Sequence, residues 1–446
     1  MAGLGAAGGY LATCYPLWAA RLAAAVAVLW VCSLPYWLFY LIPVAIVYRY
    51  PVYTVRWMRD FNITALDLLL AGVYLGAFVL LLRRRSALTN RSLGGQALLL
   101  AALPWLGFLP TAVAGGLGAG LPTVMAWALL YAKRWGMYSA LPLAGWVYAS
   151  AAGEGRKQAR RLGFWFLIVA GVAAAVGLGD FVGLELSPGG RLSFIFFNPD
   201  VLGTYMLFAF NMSLSWLASS ASHEIPAWGA AAIALVAGAA VLASGARAIS
   251  LLVVLSLLLW GLVLARLGKR LHLAGILLAT AVLVGLTLTA VGEPLLSRWL
   301  EGLAGQAGTG WLTARYEALV VGWQVARQHL IFGAGPSGFG LAARGVLKSE
   351  EALWYNVTTD NQYLDFLIEL GIWGPLALVA VLLLFLRLAS RQGQELSPLG
   401  RGVRINILVL SLAALAYSVF SFPSLAAALW FYAALLVMEQ SSPEGV

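Results

Sequence analysis

The sequence predicts an all-α polytopic membrane protein, and three observations carry that prediction. Of its 446 residues 62% are hydrophobic and only 10% charged, where soluble proteins carry about 25% charged residues. Mean hydropathy is +0.87. Runs such as Pro226 to Ala243 and Leu273 to Val291 suit a hydrocarbon layer of about 30 Å, which takes about 20 helical residues to cross. Between such runs lie short basic stretches, the pattern by which Lys and Arg set topology.

Those stretches are Arg83-Arg84-Arg85, then Arg156, Lys157, Arg160 and Arg161, then Arg266, Lys269 and Arg270, then Arg387, Arg391, Arg401 and Arg404. With all four in the cytoplasm, the expected spans are Ala19–Val47, Thr64–Leu82, Gln96–Val113, Pro122–Ala151, Leu162–Leu178 and Pro199–Ser219. They continue with Pro226–Ala243, Ile249–Arg266, Leu273–Val291, Asn361–Leu386, Ile405–Phe420 and Ser424–Met438. That gives about 12 crossings with both termini inside. Pro122–Ala151 is too long for one straight span and contains Lys133 and Arg134, so it is expected to be tilted or broken. Arg49, Arg56 and Arg59 land outside and break the charge rule.

The chain thus divides into nine expected spans over 1–291, a large outward loop over 292–360, and three spans over 361–446. The loop holds Arg298, Arg315, Arg327, Arg344 and Lys348 against Glu293, Glu301, Glu317, Glu350, Glu351 and Asp360. That near balance suits a translocated segment. Leu312, Tyr316, Leu319, Val320 and Trp323 recur at helical spacing, which predicts an amphipathic helix along the outer interface.

Several functions are excluded by these features. The net charge of +10 is spread over interspan loops, whereas a nucleic-acid binder gathers charge on one soluble face. Cys14 and Cys32 are too few for a metal site or a disulfide framework. There is no HExxH and no GxSxG, and the glycine run Gly333–Gly340 lacks the Lys-Ser/Thr ending of a nucleotide loop. No metal and no cofactor is expected. The N-terminus shows neither a basic n-region nor a cleavage site, so the first span is expected to remain as an anchor.

Four positions carry candidate chemistry. Arg191 sits at the outer boundary of the span opening at Pro199; it either snorkels to headgroups or forks a diphosphate. Arg247 lies in a glycine-containing break on the side where topology does not call for a cation, so it needs an anionic partner, a carboxylate such as Asp200 or a ligand. Arg315 either pairs weakly with nearby Glu317 or joins a phosphate site to which Gly333–Gly340 lends backbone N–H groups. Asp360 precedes the expected span Asn361–Leu386, where it could cap the helix, act as general base, or do both. Asn361 and Tyr363 add polar groups beside it. His329 is read as a cation at a helix C-terminus.

Four segments in this order resemble the O-antigen ligase and polymerase superfamily: GGRLSFIFFNPDVLGTYM, SGARAIS, TARYEALVVGWQVARQHLIFGAGPSGFG and DNQYLDFLIELGIWGPLAL. The resemblance runs from Arg191 to Leu386; before it only hydropathy is similar. It implies a glycosyltransferase of the bacterial inner membrane with its active site at the periplasmic face. Such an enzyme takes a glycan from an undecaprenyl diphosphate carrier and needs neither metal nor nucleotide sugar. On the resemblance Arg191, Arg247 and Arg315 hold the diphosphate, Asp360 and Arg315 are catalytic, and Asn361 and Tyr363 contact the glycans. The expected partners are the lipid-linked glycan and the bilayer, with a chain-length regulator or other glycan-assembly membrane protein as a further one.

Ligases of the superfamily carry a histidine where this chain has Asp360. That departure favours an O-antigen polymerase, joining repeat units with inversion at the anomeric carbon. The first alternative is a ligase moving finished glycan to lipid A core or protein. The second is a small-solute transporter, which should show inverted repeats and midplane ionisable groups. The candidates here gather at the outer ends of the spans instead.

Overall fold

The computed structural model describes residues 35–48, 51–54, 62–83, 91–118, 120–183, 192–193, 196, 198–219, 227–268, 275, 310–336, 338–339, 342–343, 359–390, 397–417, 419 and 422–441. Outside them lie Arg191, Arg49, Arg56 and Arg59, the expected span Leu273–Val291 except Gly275, the first part of Ala19–Val47, and much of the 292–360 loop.

The described chain is helical apart from a two-stranded antiparallel ribbon. In order it forms α1 (Pro35–Val47), β1 (Pro51–Thr54), β2 (Asn62–Thr64), α2 (Ala65–Arg83), α3 (Arg91–Gly118), α4 (Leu121–Tyr131) and α5 (Leu141–Ala152). Then come α6 (Gly155–Gly183), α7 (Pro199–Ala218), α8 (Ala227–Ala243), α9 (Arg247–Arg266), α10 (Gly310–Gln328), α11 (Gln362–Leu370), α12 (Trp373–Ser390), α13 (Pro398–Ala413) and α14 (Pro423–Ser441). Among the described residues seven helices are long and apolar enough to cross a membrane: α2, α3, α6, α7, α9, α12 and α14.

Burial in this bundle does not follow hydropathy. The two least apolar of these spans, α7 and α14, are 94% buried, while the most apolar, α9, is only 39% buried. In lipid the greasiest surface faces the solvent, and helices meet through small residues and polar side chains. Alpha-7 carries Thr204, Asn211, Ser213 and Ser215 in its buried face. Asn211 Nδ2 donates to Asn406 Oδ1 at 3.0 Å, Trp260 Nε1 donates to Asn211 Oδ1 at 3.3 Å, and Asn406 Nδ2 donates to Phe208 O at 3.1 Å. These bonds join α7, α9 and α13 in the bundle interior.

Contacts along α7 and α13 fix their relative direction. Asn211 meets Asn406, and Ser215 Oγ donates to Pro398 O at 2.5 Å, so the two helices are antiparallel. The N-terminus of α7 therefore shares an end of the bundle with the C-terminus of α13. The opposite end holds Arg156, Lys157 and Arg160 at the start of α6. There Arg160 Nε lies 3.4 Å from Glu439, whose other oxygen accepts from Ser397 Oγ at 2.7 Å. Ser397 also caps α13, accepting from Gly400 N at 3.0 Å with Pro398 following it. Arg401 and Arg404, expected in a loop, lie within the first turns of α13.

The expected span Pro122–Ala151 is broken. Alpha-4 passes through a π-helical turn at Ala132–Gly136 and a 3₁₀ turn at Tyr138–Ala140 before α5 begins. Successive residues of the π turn point to different neighbours: Lys133 pairs with Asp67 of α2, and Arg134 NH1 lies 2.8 Å from Glu369 Oε1 of α11. Both cations inside the expected span Pro122–Ala151 are thus paired with carboxylates within the bundle. The expected span Asn361–Leu386 also divides, into α11 and α12. Gly371 separates them at φ 65, where a Cβ would sit 2.3 Å from Ile331 O. A positive φ with no room for a side chain stops the helix there.

Candidate functional site

Alpha-11 is a short helix set across the end of the bundle that carries the N-terminus of α7. Its first turn is fixed by α13 and the turn after it: Gln362 N donates to Ala414 O at 2.8 Å, Asn361 Nδ2 to Leu415 O at 3.2 Å, and Tyr363 OH to Ser411 O at 3.0 Å. Burial raises the Tyr363 phenol above its ordinary value, partly offset by the Ser411 bond. At neutral pH it therefore stays protonated and serves as a donor.

The cap of α11 is Asn361, whose Oδ1 accepts from Leu364 N at 3.0 Å. This corrects the capping role considered for Asp360. With the side chain of Asn361 at the cap, Asp360 falls one residue earlier, at φ 56, and is the one non-glycine residue with positive φ among those described. Asp tolerates the left-handed region better than most side chains, at a modest cost. Thr359 holds the other flank: its N and Oγ1 both donate to Asp365 Oδ1, at 2.7 and 2.9 Å. Asp365 is buried and its role here is to anchor the turn.

Arg315 reaches this turn from α10. Its Nε lies 3.3 Å from Asp360 Oδ2, and its guanidinium carbon lies 5.0 Å from the centre of the Tyr417 ring. A cation over an aromatic face is attracted by the ring quadrupole and held in orientation. Alpha-10 can come this close because Gly322, about two turns along, faces Thr359; a Cβ there would lie 2.6 Å from Thr359 Cγ2. The buried side of α10 (Val321, Val325 and Ala326) packs with Ile368 and Phe339. Tyr316, Trp323, Leu319 and Val320 are exposed on the opposite side, the stripe expected of an interfacial helix.

In the described part of the glycine run, four backbone N–H groups already have acceptors within the chain. Gly333 N donates to His329 O at 2.8 Å, Ala334 N to Ile368 O at 2.7 Å, Gly335 N to Glu369 O at 3.0 Å and Gly338 N to Gly335 O at 2.8 Å. Two of these donors, Ala334 N and Gly335 N, strap the run onto the C-terminal end of α11, and Ser337 and Gly340 lie outside the described residues. Gly333 sits at φ 73 with room for no Cβ, 2.3 Å from Glu369 O. Its glycine serves close packing, not anion binding.

Of the other expected ligands, Arg247 is the first residue of α9, with its side chain outside the described residues, as is Arg191. Their neighbours are brought together, since Leu192 N donates to Ala243 O at 3.0 Å, just before the turn Ser244–Ala246. That turn and Asn198, which caps α7 by accepting from Asp200 N at 2.8 Å, lie at the same end of the bundle as Asp360. Tyr417 is the residue that sequence reasoning missed. Its only local signal is an aromatic side chain in the break between α13 and α14. Among the described residues no three His, Cys, Asp or Glu side chains gather in a way that could hold a metal ion.

Comparison with known proteins identifies the segment that carries this geometry. No curated protein matches the chain. Residues 231–379 match the family model described as O-antigen ligase, a stretch from within α8 to within α12 that includes Arg247, Arg315, Asp360, Asn361 and Tyr363 but not Arg191. This match supports the O-antigen ligase/polymerase superfamily through this segment of the chain.

Proposed function

We propose that the protein is an O-antigen polymerase-type glycosyltransferase, joining undecaprenyl-diphosphate-linked repeat units at the periplasmic face of the bacterial inner membrane. The matched domain supports O-antigen ligase/polymerase-type activity in general. The observation that carries the finer reading is the contact between Arg315 and Asp360, 3.3 Å apart within that domain and at a turn open to solvent. Its sidedness is supported by charge: the site lies at the end of the bundle opposite Arg156, Lys157 and Arg160, which the positive-inside rule assigns to the cytoplasm.

In the proposed reaction an acceptor hydroxyl oxygen attacks the anomeric carbon of the donor glycan. The bond from that carbon to the diphosphate oxygen breaks, and the lipid diphosphate leaves with the electron pair. The hydroxyl proton passes to the Asp360 carboxylate. Attack from the face opposite the leaving group inverts the anomeric centre. Arg315, with Arg191 and Arg247, stabilises charge developing on the diphosphate, the contribution a metal ion makes elsewhere. Asn361 and Tyr363 contact the bound glycans at the rim.

The ligase reading keeps a specific support, the printed description of the matched family. Asp360 in the position of the ligases' histidine favours the polymerase. Chain-length analysis of surface glycan in a deletion strain separates them. A single-repeat product identifies a polymerase, full-length unattached glycan a ligase, and unchanged glycan neither. In vitro, Asp360→Asn should lower transfer by about 10²–10⁴-fold with donor binding retained; full activity in that variant removes Asp360 as base.

A further inference from the structure

Two anions compete for the guanidinium of Arg315. The proposed function needs its guanidinium on the donor diphosphate, yet in the structure that guanidinium is engaged by Asp360 at 3.3 Å. The turn is built to present the carboxylate in this way. Thr359 is tied to Asp365, Asn361 to Leu364 and Leu415, and Gln362 to Ala414, so both flanks of Asp360 are fixed. The residue between them is held at φ 56, and strained backbone persists where its surroundings over-determine it. Tyr417 backs the guanidinium from a buried position. The Asp360 side chain is 45% exposed and that of Arg315 23%, so the carboxylate is the more accessible member of the pair.

We propose that the Asp360 carboxylate is a tethered stand-in for the donor's diphosphate, occupying Arg315 in the empty site and displaced when the donor binds. This rests on the proposed function and adds an order to it. While Asp360 holds Arg315, its carboxylate is engaged by the guanidinium and is not offered to an acceptor hydroxyl. Donor binding moves the guanidinium to the diphosphate and releases Asp360 for the acceptor hydroxyl. The donor therefore binds first, and the base is unmasked only when a glycan is present to transfer.

The test is calorimetric titration of inorganic pyrophosphate into the full-length protein in lipid nanodiscs at low ionic strength. Asp360→Asn should bind pyrophosphate about fivefold or more tightly than the parent, the equivalent of an exposed ion pair near 1 kcal/mol. Asp360→Gly, which takes the positive φ without strain, should show the same gain. The gain should vanish when Arg315 is already Gln. If Asp360→Asn binds no more tightly than the parent while Arg315→Gln binds more weakly, Arg315 is an anion ligand but Asp360 is not its stand-in. If Arg315→Gln binds as well as the parent, or no variant binds, both the stand-in and the diphosphate clamp are overturned.

Discussion

Two polar clusters interrupt this apolar bundle, and they are built on opposite principles. In the interior, Asn211, Asn406 and Trp260 are fully buried and answer one another's hydrogen-bonding groups across three helices. At the end of the bundle, Arg315 and Asp360 meet in a half-exposed pair on a backbone held at φ 56. The first cluster uses relaxed helical geometry and closes on itself. The second accepts strain to offer charge to whatever approaches. Polarity in a membrane protein is thus no guide to function until access is known. A closed amide network joins helices, whereas an open ion pair on a fixed turn can change partners.

The comparison breaks most sharply at Arg315. Arg315→Gln should lower glycan transfer by about 10²–10³-fold, with thermal stability shifted by about 1 kcal/mol or less, since the pair is solvent-accessible. A large loss of stability with little loss of turnover would make Arg315 a structural residue like Asn406. The interior cluster should respond in the reverse sense. Asn406→Leu leaves Asn211 Nδ2 without its acceptor and should cost about 1 kcal/mol, read as a lower unfolding midpoint in detergent, while turnover per folded molecule is kept. The smallest effect tests Tyr417. Tyr417→Phe keeps the ring and should stay within about twofold of the parent, whereas Tyr417→Leu loses a cation–π contact of ~0.5–1 kcal/mol and should reduce donor affinity about two- to fivefold. Equal values for Phe and Leu would show that the ring merely fills space.

Part of the site was legible along the chain. Arg315, Asp360, Asn361 and Tyr363 stand out because each is a polar residue in or beside a motif of recognisable order, and the fold brings Arg315 and Asp360 into contact. The capping assignment was not legible. Asp and Asn are both good caps and both tolerate positive φ, so their order alone does not say which does what. The choice is made by Ala414 and Leu415, whose carbonyls hold Gln362 and Asn361 and leave Asp360 to turn. The glycine run, which suited either a phosphate site or a plain tight turn, was ambiguous for a related reason. A backbone N–H is available to a phosphate only if nothing else claims it, and Ile368 and Glu369 claim two of these from a different helix.

What the sequence determined by itself is the membrane-spanning class, the basic end of the bundle and the short list of candidate residues. These follow from composition, run length and charge placement, which are properties of neighbours along the chain. Tertiary structure alone decided that the least apolar spans form the centre, that the span after the loop splits at Gly371, and that Tyr417 lies under Arg315. Each depends on contacts between distant segments. In lipid, where apolar burial drives no helix association, packing of small residues and satisfaction of polar groups decide which contacts form.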